Sequence, residues 1–95
     1  MKTIYKYIVG IADSQVVEMP KGAKILDIQL TNEFPTQLSI WAMVDIDRER
    51  EPRIFKMIGT GHRMDDTKES EHLDYISTIQ CFNGLVVHVF EYKIV

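Results

Sequence analysis

The chain has 95 residues, 45% of them hydrophobic and 26% charged, with 11 lysines and arginines against 14 aspartates and glutamates for a formal charge of −3. A chain this short buries about 60–65% of its unfolded surface, which supports one core and therefore one domain over 1–95, and the composition excludes intrinsic disorder. With no basic cluster longer than a dipeptide, the footprint of a nucleic-acid-binding protein is missing, and the single cysteine, Cys81, supplies neither an internal disulfide nor a thiolate metal cage.

The amino terminus, MKTIYKYIVGIADS, has an apolar patch broken by Tyr and Lys, too short for a membrane span or a signal peptide, so a cytoplasmic protein without membrane contact is expected. Thr3 to Val9 reads as a strand with Tyr5, Tyr7 and Val9 on one face and Ile4, Lys6 and Ile8 on the other. Gln15 to Met19 is a second strand, stopped by the tight turn Pro20-Lys21-Gly22-Ala23. Lys24 to Asn32 alternates so that Leu26, Ile28 and Leu30 face the core and Asp27, Gln29 and Thr31 face water. After the turn Glu33-Phe34-Pro35-Thr36, Gln37 to Asp45 points Leu38, Ile40, Ala42 and Val44 inward. Trp41 and Met43 then stand on the opposite face, either covered by another element or forming an interaction patch.

The alternating charges of Ile46 to Glu51 suit a solvated hairpin loop. Arg53 to Ile58 is a strand that delivers Gly59-Thr60-Gly61-His62, a compact turn with a hydroxyl and an imidazole at its tip. Arg63 to His72 reads as a loop. Leu73 to Phe82 and Leu85 to Val95 pair as a hairpin about Asn83-Gly84, the dipeptide favoured by a two-residue type I′ turn. No stretch carries a sustained helical period. The fold class predicted is all-β, six or seven short antiparallel strands in a small sandwich or partly open barrel.

The candidate chemistry is sparse. Gly59, Thr60, Gly61 and His62 form a candidate ligand-binding loop, in which backbone amides and the hydroxyl would hold an anion and the imidazole would act as donor or acid/base; a purely structural turn is the competing reading. His62 and His72 flank Asp65, Asp66, Glu69 and Glu71, but no HxH or HExxH spacing occurs and no metal site is expected. His88, between Val87 and Val89, reads as a packed residue satisfied by one hydrogen bond, and Cys81 as a small buried hydrophobe. The serines lack a nucleophile-elbow context, so no catalytic residue and no cofactor are expected.

The runs Pro20-Lys21-Gly22-Ala23-Lys24-Ile25-Leu26, Trp41-Ala42-Met43-Val44-Asp45, Gly59-Thr60-Gly61-His62, Tyr75-Ile76-Ser77-Thr78-Ile79-Gln80 and Val87-His88-Val89-Phe90-Glu91 resemble a family of small proteins of unknown function from tailed-bacteriophage and prophage genomes. The likeness spans nearly the whole chain. It implies a viral origin and a bacterial cytoplasm, and carries no activity. The function expected is non-catalytic binding and modulation of a bacterial host protein, in host takeover or counter-defence, through Trp41, Met43 and neighbouring charges. The alternative is a small-ligand or nucleotide binder, conceivably hydrolytic, at Gly59–His62. Because Val86, His88, Phe90, Tyr92 and Ile94 lie opposite Leu85, Val87 and Val89, both faces of the last strand carry apolar groups, and a homodimer across it is expected.

Overall fold

A computed structural model describes residues 1–64 and 72–93. Seven strands form: β1 (Lys2–Gly10), β2 (Ser14–Pro20), β3 (Lys24–Glu33), β4 (Thr36–Asp45), β5 (Arg50–Gly59), β6 (Leu73–Gln80) and β7 (Val86–Tyr92). Every pairing is antiparallel, and the strands make a three-stranded sheet, β1-β4-β3, and a four-stranded sheet, β2-β5-β7-β6, neither closed into a barrel. The expected all-β class is therefore the observed one, in its sandwich form.

One core lies between the layers, because each sheet turns alternate side chains inward. From β4 come Leu38, Ile40, Ala42 and Val44, all buried as the alternation predicts, and from the other sheet Phe55, Met57, Val87 and Val89 with Met19 and Ile79 from its outer strands. At one end of this interior Arg53 of β5 makes a bidentate pair with Glu91 of β7, Nη2 donating to Oε1 at 2.9 Å and Nε to Oε2, while Nη1 donates to the Ala23 carbonyl at 2.7 Å. Two strands and the β2–β3 turn are thus tied by one guanidinium. That turn has the predicted form: the Ala23 amide donates to the Pro20 carbonyl at 3.1 Å and Gly22 takes φ +78°.

Three expectations need correction. Leu26 does not face the core: Ile25 pairs with Ala42 and Asp27 with Trp41, so Leu26 is the extra residue of a β-bulge and is turned to solvent. The bulge flips the alternation and lets Ile25 and Ile28, three apart, both point inward. The charged stretch after β4 is not a hairpin loop, because β4 and β5 lie in different sheets; residues 46–49 carry the chain from one layer to the other. Arg50, Glu51 and Pro52 belong to β5, and Pro52 is tolerated because β5 meets β7 only from Ile54 onward.

The β6–β7 hairpin is as expected in its turn and shorter in its strands. Asn83 (φ 60°, ψ 34°) and Gly84 (φ +76°) hold the left-handed conformations that a type I′ turn demands, closed by the Leu85 amide donating to the Phe82 carbonyl at 3.3 Å. Pairing begins at Gln80 and Val86, leaving Cys81 to Leu85 as connection.

Candidate functional site

The Gly59–His62 loop forms a turn in which the His62 amide donates to the Gly59 carbonyl at 3.0 Å and Gly61 takes φ +83°. The Thr60 amide donates to the Val86 carbonyl at 3.1 Å, so two amides of the loop are already spent on backbone acceptors. The imidazole of His62 lies directly over Gly59, within 2.7 Å of where a Cβ would stand, so any larger residue at 59 would push the ring aside. Gly59 pairs with the buried Val87 and faces inward, whereas Thr60, one residue on, points to the opposite face. The hydroxyl and the imidazole that stand near each other in sequence are therefore parted by the sheet.

Thr60 instead joins residues that sequence reasoning did not group. On the outer face of the four-stranded sheet its Oγ1 lies 2.7 Å from His88 Nε2, His88 Nδ1 lies 3.0 Å from Thr78 Oγ1, and Thr78 Oγ1 lies 2.6 Å from the Tyr75 hydroxyl. Both ring nitrogens of His88 are thus engaged, by hydroxyls, where core or cross-strand packing with a single hydrogen bond was expected. The register explains the gathering: His88 is opposite Thr78 on β6 and Ile58 on β5, and Thr60 is two residues beyond Ile58 on the same face. Beside this row Tyr75 meets Phe90 edge to face at 5.7 Å, and His72 meets Tyr92 at 6.2 Å, with Lys56 Nζ 5.9 Å from the Tyr92 ring centre. Val86, Phe90 and Tyr92 share the half-buried outer face of β7 that the sequence pattern anticipates. The only signal in the sequence was that alternation; partners 10 to 28 residues away are visible only once the strands are paired.

Trp41 and Met43 occupy the outer face of the three-stranded sheet. Trp41, half-buried, sits in register between Lys6 and Asp27, and Met43, 38% exposed, between Ile4 and Lys24. Ile4 (57% exposed) and Ile8 continue the apolar strip along β1, with Leu26 at the bulge beside it, and Lys2, Thr3, Ile4 and Met43 line a shallow open recess. Lys2, Lys6 and Lys24 are all exposed on this face. Its small residue, Ser39, is covered completely and bonds through its hydroxyl to that of Thr31.

Asp65, Asp66, Glu69, Glu71 and Ile94 lie outside the described residues, and among the described residues no group of three or more His, Cys, Asp or Glu is placed to hold a metal. Among the described residues no helix is long and apolar enough to cross a membrane. Burial pushes the Cys81 thiol above its ordinary value.

Sheet order and register define a small antiparallel β-sandwich with exposed side chains on the outer face of each sheet. The chain belongs to a domain family of unknown function, DUF7352, whose model matches residues 1–94. No curated protein and no solved structure matches the chain.

Proposed function

We propose that this is a non-catalytic interaction protein that binds another protein through the outer face of its three-stranded sheet. The observation that carries the reading is the outward group Ile4, Ile8, Trp41 and Met43 on β1 and β4, with Lys6 between Ile4 and Ile8, Lys2 and Lys24 beside it and Asp27 next to Trp41, in a chain of net charge −3. Exposed apolar side chains set among polar and charged ones are found at partner surfaces, with the apolar groups supplying affinity and the charges supplying orientation. The complementary partner has an apolar patch edged by carboxylates. If the sequence resemblance to small phage and prophage proteins holds, that partner would be a bacterial host protein, which this chain would modulate by occupying the patch.

Affinity capture from bacterial lysate by the tagged protein and by an Ile4→Glu, Met43→Glu double variant tests the reading. A protein held by the first at physiological salt, lost by the second and cross-linked at Lys6 or Lys24 supports it. Retained proteins that do not differ between the two baits would remove this face from consideration. A homodimer across the other outer face, that of β7, is the reading that light scattering would favour by giving twice the 11.0 kDa chain mass.

A further inference from the structure

The outer face of the four-stranded sheet has a chemistry unlike the lysine-flanked strip. Thr60, His88, Thr78 and Tyr75 form one hydrogen-bonded chain of groups that each donate and accept, and none of the four is a carboxylate, ammonium or guanidinium. Such a chain runs in either of two senses. In one, Thr60 donates to His88 Nε2, Nδ1–H donates to Thr78, Thr78 donates to Tyr75, and the Tyr75 O–H is left to donate outward. In the other, every bond reverses and the Thr60 O–H is left instead. Each sense leaves a free donor at one end and free lone pairs at the other, and the bonds within reinforce one another. A ligand whose own groups are both donor and acceptor satisfies either sense, which is the property of a sugar hydroxyl.

Directly beside this chain stands an aromatic platform. Tyr75 is 60% exposed yet fixed at two points, by the edge-to-face contact with Phe90 and by its hydroxyl on Thr78. A large ring held in place and left open to water is a preorganised stacking surface, since little side-chain freedom remains to be lost when something covers it. The described residues of this face form a sheet surface, which an extended ligand fits better than an enclosed one. Lys56 stands on the same face, in register with Phe90, but the hydrogen-bonded chain itself is built of uncharged hydroxyls and an imidazole, and a purely apolar partner would leave its free donor unpaired.

We propose that this face binds a neutral oligosaccharide, one sugar ring lying on Tyr75 and its hydroxyls bonding the ends of the Thr60–His88–Thr78–Tyr75 chain. The site is independent of the protein-binding strip, which lies on the other sheet. Titrating ¹⁵N-labelled protein with maltohexaose, cellohexaose, xylohexaose and chitohexaose tests it by following amide resonances. At least one of the four is expected to shift Thr60, Tyr75, Thr78 and His88 together, with a dissociation constant of about millimolar or below. Tyr75→Ala is expected to weaken that binding about tenfold or more, and Tyr75→Phe, which keeps the platform and loses the hydroxyl, to weaken it less, each with a dispersed amide spectrum that shows the fold intact. The proposal is overturned by shifts confined to other residues, by no shift with any of the four sugars, or by a self-association whose line broadening maps to Tyr75 and Phe90, which would make a second copy the occupant.

Discussion

At the scale of single residues, Arg53 and Glu91 carry the largest electrostatic stake. Both are nearly enclosed, and the hydrogen bonds that Arg53 donates to the Glu91 carboxylate hold the guanidinium above its ordinary pKa against the opposing effect of burial. Removing one partner leaves an uncompensated charge in the sandwich, so Glu91→Gln is expected to destabilise the fold by about 3 kcal/mol in urea unfolding, whereas replacing both residues by well-packed apolar ones should cost far less. Cys81 makes a different statement. Burial raises its thiol above 9.0, so at pH 8 it should react with a disulfide reagent more slowly than a free cysteine does, with the rate climbing only at higher pH. Because the unfolded thiol ionises first, its contribution to stability is present below 9.0 and is lost as pH rises through the folded value. A reaction rate at pH 8 equal to that of a free thiol would contradict this placement.

At the scale of elements, β3 shows what alternation can and cannot reveal. Ile28 is buried opposite Ile40, and Leu26 is solvent-facing at the bulge, although the two are an even number apart and read alike in sequence. Ile28→Ala should therefore cost about 2–5 kcal/mol in denaturant midpoint analysis, and Leu26→Ala little more than a surface change of about 0.5 kcal/mol. Equal losses would mean that the strand is paired in the unbroken register. The inward face of β4 was legible because a central strand pairs on both sides and keeps strict period, and so was the Asn83-Gly84 turn, whose conformations few other residues accept. An edge strand such as β3 is constrained on one side only, and its bulge leaves no compositional trace. The hydroxyl chain around His88 was hidden for another reason: its members come from the end of β5, from β6 and from β7, and only the non-local pairing of β5 with β7 brings Thr60 to the imidazole.

At the scale of the whole molecule, the decisive feature is thinness. The Cα envelope measures 41 × 33 × 16 Å, so two sheets and the one layer of side chains between them fill its depth. Each sheet spends one face on the core, and the other face carries exposed side chains such as Ile4, Met43 and Tyr75. This separates substitutions that should unfold the chain from substitutions that should only blind it. Phe55 is completely buried, and Phe55→Ala should cost about 3–5 kcal/mol. Ile4 and Met43, large apolar residues on the outer face of β1 and β4, should by contrast accept glutamate with stability changed by no more than about 0.5 kcal/mol, since each is already hydrated and Lys24 stands in register with Met43. Thermal melts of the three variants decide the matter. If Ile4→Glu and Met43→Glu melt as early as Phe55→Ala, their side chains lie within a core and not on a surface, and the argument that this face exists to meet another protein falls with them.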